Sequence, residues 1–324
     1  MKRVISYILM IMIVLTMMAC STITTEAPDQ QDEVNGSIEG EIVQTDSNSE
    51  TVYPFTITDG LDRTLTFETE PQTIITLAPS TTEIVYALGA GDRLIGRTKY
   101  CNYPEEALDV ASIGSLKEPD IELIIALNPD LILASTHFSE EVLLKLEEVG
   151  LNVVVLIEQE SFDGVNTVIE KTGKILNQQE NAALITENMK AELNEVLDTL
   201  EGVEAKSVYY VVGYGEYGDY TATGDTFLHE VLEMAGGKNI AADGTDWSYN
   251  LESIIEKDPE FVICSTQWDT KAGIEAAEGY NQLSAVKNGN LVELDPDIIT
   301  RLGPRLAEGT RAIAETLHPE SFNN

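Results

Sequence analysis

A stretch of 18 residues, Ile121 to Phe138, returns without a gap as Leu251 to Trp268. Glu122/Glu252, Ile124/Ile254, Ile125/Ile255, Pro129/Pro259, Ser135/Ser265 and Thr136/Thr266 are identical pairs. Each copy spells a short helix, a proline stop and a buried strand. Asp120 and Asn250 are N-cap residues placed just before an apolar run at helical spacing. Pro129 and Pro259 bias the residue before them away from helix, so the helices end near Asn128 and Asp258. Leu131-Ile132-Leu133 and Phe261-Val262-Ile263 are unbroken apolar runs, which suit parallel strands covered on both faces. The fold class that follows is α/β, with two similar three-layer lobes built on mainly parallel central sheets.

This geometry places function. In open parallel sheets, ligands lie outside the carboxyl ends of the strands. Here those ends are Ser135-Thr136-His137-Phe138 and Ser265-Thr266-Gln267-Trp268. A helix running antiparallel to its strand begins at the same rim. Glu122 and Glu252 therefore belong at equivalent places on the two lobes. The helix dipole alone favours an acid in a first turn by a few tenths to about 1 kcal/mol. It explains less well why both occupy one register of a repeat, and a partner-docking role is the reading that does.

The chain has 324 residues, enough for two cores, and a formal charge of -37. That charge excludes nucleic acid and electrostatic binding to anionic lipid. Lys2 and Arg3 precede the apolar run Val4 to Met18, a targeting segment too short to span a membrane. It closes on Met17-Met18-Ala19-Cys20, which resembles a bacterial lipobox. Residues 1–19 then form a signal peptide, and Cys20 is the lipidated first residue of the mature chain. Residues 20–51 are rich in Ser, Thr, Asp, Glu and Gln and show no apolar period, so they read as a disordered tether. Cys101 and Cys264 do not make a disulfide framework and are expected to be thiols.

The N-terminal lobe is expected over 52–160. It opens with a hairpin at Phe55–Thr58 and Thr64–Phe67, and Thr81/Thr82 cap its first helix. Residues 161–204 link the lobes, and Asn181 to Leu200 has the longest helical pattern, free of proline and glycine. A rigid connection of that kind permits only modest closure. The C-terminal lobe takes 205–324.

Gly213-Tyr214-Gly215-Glu216-Tyr217-Gly218 spells a dinucleotide fingerprint, but a further loop intervenes before any helix. It reads instead as a cleft loop carrying Tyr214. Histidines are too scattered for a dedicated metal site, and no hydrolase elbow, HExxH or Walker loop supports an enzyme. Tyr100, Tyr103, Phe138, Trp247 and Trp268 fall in loops or at strand ends and suit a large, flat, partly apolar ligand. Arg301 and Arg305 flank Leu302-Gly303-Pro304. They either hold polar groups of a ligand or balance Asp295 and Asp297.

The runs ITLAPSTTEIVYALGAGDRLIGRTKYCNYPEEA, IELIIALNPDLILAS, TFLHEVLEMAGGKNI, LESIIEKDPEFVI and RLGPR, in this order, resemble the solute-binding proteins of ABC importers for vitamin B12 and ferric siderophores. The resemblance covers about residues 52–318 and implies two α/β lobes bridged by one long helix. It further implies that Glu122 and Glu252 pair with arginines of the permease and that the Tyr100–Tyr103 loop touches a corrin. Tyr100, Tyr103, His137, Phe138, Tyr214, Trp247, Trp268, Arg301 and Arg305 are the expected ligand contacts. The expected protein is a monomer held outside the cell membrane by its lipid anchor. It has no cofactor and delivers a corrinoid to an ABC permease and its ATPase. A ferric siderophore or haem is the alternative cargo, and a surface enzyme on the same scaffold is the alternative of another class.

Overall fold

Alternating apolar and polar residues near the start of the described chain produce a hairpin. A computed structural model describes residues 50–322 apart from 137 and 217. The signal segment, Cys20, nearly all of the tether and His137 lie outside the described residues. Strands β1 (Phe55–Thr58) and β2 (Thr64–Phe67) pair antiparallel, with Phe55 opposite Phe67. Asp59 closes the turn. Its carboxylate accepts from the backbone N–H of Leu61 at 2.9 Å and of Arg63 at 3.1 Å. It also accepts from the N–H of Val155 at 3.2 Å, which fastens the hairpin to the neighbouring sheet.

The first sheet uses β3 (Ile74–Thr76), β4 (Leu94–Arg97), β5 (Leu131–Ala134) and β6 (Val153–Val155) in the order β4-β3-β5-β6, all parallel. Helices α1 (Pro79–Ala87), α2 (Ile121–Leu127) and α3 (Glu140–Glu148) connect them. Every residue of β3, β5 and β6 is buried, as unbroken apolar runs require. Ile74, Leu131, Leu133 and Val154 face α1, while Ile75, Ile132, Val153 and Val155 face α2 and α3. Helix α1 starts two residues before the expected Thr81, because Pro79 supplies a preset φ at the first helical position. Thr81 and Thr82 lie inside the first turn and donate to the Ala78 carbonyl at 2.9 and 3.1 Å.

Two helices follow, α4 (Phe162–Ile175) and α5 (Gln179–Thr199). Helix α5 has 21 residues and so runs about 30 Å. The second sheet contains β7 (Lys206–Gly213), β9 (Gly237–Asn239), β10 (Phe261–Ser265) and β11 (Leu291–Leu294), parallel in the order β9-β7-β10-β11. Strand β8 (Tyr220–Thr221) adds to β7 antiparallel. Helices α6 (Phe227–Met234), α7 (Leu251–Lys257), α8 (Thr270–Ala276), α9 (Ser284–Lys287), α10 (Pro296–Thr300), α11 (Leu306–Leu317) and the short α12 (Pro319–Phe322) belong to this half.

The parallel strand order is the same in both sheets, and so are the small contacts that set it. Asp130 accepts from the N–H groups of Gln72 and Thr73, both at 2.9 Å, and its own N–H bonds Thr73 Oγ1 at 2.9 Å. Glu260 repeats this with the Ser207 N–H at 3.0 Å, while its N–H bonds Ser207 Oγ at 2.9 Å. Asn152 and Asn290 then donate to the carbonyls of Asp130 and Glu260 at 3.2 and 3.0 Å. The two helix stops also agree: Asn128 and Asp258 both take left-handed backbone, which Asn and Asp tolerate best after glycine.

One apolar cluster runs through both halves. It takes Leu133 and Val154 from the first sheet, Ala182, Met189 and Val196 from α5, and Val208, Ile263, Ile313 and Leu317 from beyond it. Helix α5 packs on α4 along one side and on α11 along another. The protein is therefore an α/β fold of two similar lobes, joined by one long helix inside a shared core.

Candidate functional site: the cleft between the lobes

The carboxyl ends of β3, β5 and β7 converge on a cavity of about 420 Å³. Its walls come from both lobes. Ala78, Pro79, Ser80, Leu116, Ser135 and Thr136 belong to the first, and Val212, Phe227, Leu228, Trp247 and Leu302 to the second. This is the position that parallel-strand topology assigns to a ligand. The lining is apolar with a few hydroxyls, and among the described residues its ionisable side chains are Glu160 and Arg301. A larger hollow of about 680 Å³ lies between residues 50–55 and helices α4 and α5. It takes no residue from the second lobe and lies away from the strand ends, so the smaller cavity is the candidate site.

Trp247 reaches this cavity from a loop in which Asp246 and Trp247 both have positive φ, 56° and 61°. Hydrogen bonds hold that conformation. The Trp247 N–H bonds Thr223 Oγ1 at 3.0 Å, and its carbonyl accepts from the Thr221 N–H at 2.9 Å. Asp225 accepts from the Asp246 N–H at 2.9 Å and from Thr223 Oγ1 at 2.6 Å. These bonds hold the Asp225 carboxyl below the usual range.

Arg301 and Arg305 do come together, on a partner that the sequence did not mark. Glu83 of α1 is almost fully buried, and both arginines donate to it across the lobes. The Arg305 guanidinium also lies 3.8 Å from the centre of the Tyr103 ring. Neither arginine is therefore a free cation. Hydrogen bonding to Glu83 raises the Arg305 pKa further, against the lowering that burial would cause. Glu83 is not among the residues expected at the site. The usable signal was an acid beside Ile84 and Val85 in a helix that has to pack.

The remaining expected contacts divide. Tyr100 and Tyr103 are exposed in the loop after β4, with Lys99 5.1 Å from the Tyr100 ring centre. Phe138 packs on the outer core of the first lobe, beside α2 and α3. Tyr214 turns away from the cavity, its hydroxyl against Gly273 and its ring 6.0 Å from that of Tyr280. The Gly213–Gly218 loop leads into β8 and not a helix. Trp268 is 89% exposed at the rim of β10 and does not line the cavity.

Glu122 and Glu252 are both exposed, one residue into α2 and α7. Asp120 and Asn250 cap these helices by accepting from the N–H groups of Leu123 and Ser253, at 2.9 and 2.8 Å. One turn further on, Ile125 and Ile255 are exposed as well. Each lobe thus presents the same Glu–Ile face. Cys101 and Cys264 are buried, unpaired thiols, as expected.

Residues 74–298 match the family described as periplasmic binding protein. An uncharacterized ABC transporter substrate-binding lipoprotein, YvrC of Bacillus subtilis, is 34% identical over 84% of this chain and 88% of its own length. A cobalamin-binding protein of Halobacterium salinarum is 29% identical, covering 82% of this chain and 74% of that one. Among solved structures, a possible iron-binding (periplasmic solute-binding) protein from Staphylococcus epidermidis superposes with a TM-score of 0.68 at 27% identity, over 77% of this chain and all of the other. With its twin lobes, its inter-lobe cavity and this match over most of its length, the chain belongs to the periplasmic binding protein family.

Proposed function

We propose that this protein is the extracytoplasmic substrate-binding component of an ABC importer and that its cargo is a corrinoid. The observation that carries the reading is the cavity at the strand ends, walled by both lobes, mostly apolar and faced by Trp247. A flat macrocycle suits such walls, and amide arms suit hydroxyls and a hydrogen-bonded arginine. The volume of about 420 Å³ takes part of a macrocycle, with the rest facing the exposed Tyr100 and Tyr103. The cobalamin-binding relative supports this cargo. The lipoprotein relative supports a lipid anchor at Cys20 and delivery to a permease and its ATPase. Glu122 and Glu252 are the proposed docking acids, because each is exposed at the same place of a repeated element.

Titration of the soluble domain with cobalamin, haem and ferric chelates tests the cargo. Saturable one-to-one binding of cobalamin, recovered unchanged, is the expected result, and its absence ends the corrinoid reading. Transport of an iron chelate is the second reading, favoured by the likeness to the Staphylococcus protein.

A further inference from the structure

Four charged side chains meet beside the cavity. The Glu83 carboxylate, from the first lobe, accepts from Arg301 Nη1 at 2.7 Å and from Arg305 Nε and Nη2 at 2.9 and 2.8 Å. Arg301 Nη2 lies 2.6 Å from Asp297 Oδ2, and Asn102 of the first lobe donates to that same oxygen at 3.0 Å. Two positive charges are met by two negative ones. The Glu83 side chain is 2% exposed and the arginines 12% and 14%, so solvent screens this cluster little. The other ionisable group of the lining, Glu160, has no hydrogen bond or ion pair among the described residues. Among the described residues the cavity wall is therefore neutral to negative, inside a chain whose net charge is -37.

We infer that Glu83 sets the charge class of the cargo: by neutralising Arg301 and Arg305, it makes the cleft accept neutral or cationic, amide-bearing ligands and turn away free carboxylates. This rests on reading the inter-lobe cavity as the ligand site. A carboxylate approaching Arg301 meets Glu83 and Asp297 already in place, and it brings a third negative charge into a poorly screened cluster. A neutral carbonyl brings no charge and can still accept from the guanidinium, which has five N–H donors. The same groups thus discriminate by charge while they keep the capacity to hydrogen-bond.

Two ligand pairs test this, each with one ring and two charge states. Cobinamide carries amide arms where cobyrinic acid carries carboxylates, and haem carries propionates where its dimethyl ester carries none. Wild type should bind the neutral-armed member of a pair tighter by at least about tenfold, a modest fraction of one charge–charge term at this range. Glu83→Gln should shrink that ratio by tightening the carboxylate form. The ratio is a readout that mere loosening of the fold would not move, and the wild-type ranking needs no variant at all. Preference of wild type for the carboxylate members, or a ratio untouched in Glu83→Gln, overturns the inference. Binding confined to the haem pair removes the corrinoid reading and leaves the charge rule to be decided by haem against its ester. Binding of none of the four removes both.

Discussion

Trp247 sits in a backbone conformation that its own side chain disfavours. Left-handed φ costs roughly 1–2 kcal/mol for a residue with a Cβ, and here Asp246 and Trp247 adopt it in succession. Asp225 and Thr223 offset that cost by bonding the loop backbone. The bonds from the Asp246 N–H and the Thr223 hydroxyl keep the Asp225 pKa low. A depressed carboxylate contributes above its unfolded pKa and loses that contribution as pH falls through the folded value. The loop should stay ordered down to roughly pH 4 and loosen below it. Only Trp247 and Trp268 fluoresce as tryptophan. Emission should therefore hold steady from neutral pH to mild acid, then shift, and Asp225→Asn should give the shifted spectrum throughout. Cys264 offers a second residue-scale expectation. Burial pushes its thiol up to about 11, with Glu293 adding to the effect. Neither Cys264 nor the buried Cys101 should react with a thiol reagent at neutral pH until denaturant is added. Rapid labelling of native protein would contradict their placement.

At the scale of elements, α5 decides most. Ala182, Met189 and Val196 recur every seven residues along its buried stripe, facing α4 and α11. Met189→Ala should lower unfolding stability by about 2–5 kcal/mol in a urea titration. Leu197→Ala, at an exposed position of the same helix, should change it by less than about 0.5 kcal/mol. This helix was legible because its apolar period is clean and nothing interrupts it. Its neighbour α4 was not. Val165, Thr167, Val168, Ile169 and Thr172 are poor helix formers, and Gly164 and Gly173 add two apparent breaks. Both glycines answer to packing. A Cβ on Gly164 would strike the Gln159 carbonyl, and one on Gly173 would press on Ala182 of α5. The hairpin and both repeat helices were readable because local residues suffice for them. The Glu83 cluster was hidden for the opposite reason, since its arginines lie 218 and 222 residues further along the chain. Phe138 and Tyr214 pack within their own lobes, since an aromatic at a strand end can turn into the core as readily as into the cleft.

At the scale of the molecule, two like lobes each carry an exposed acid followed by an exposed isoleucine. Reversing Glu122 and Glu252 together to lysine should abolish uptake while leaving ligand affinity unchanged. Transport assays in whole cells, with titration of the isolated domain, would check both halves of that statement. Normal uptake would end the docking proposal. The Glu83 contacts belong to this scale too, because they tie the lobes along one side of the cavity while α5 ties them through the core. Movement on ligand capture should accordingly be small. The position of α11 has one more consequence. Ile313 and Leu317 of α11 fill the flank of α5 from far along the chain, beyond both sheets. A version cut at residue 305 should be a protease-sensitive, incompletely folded chain, even though both sheets are already encoded in it.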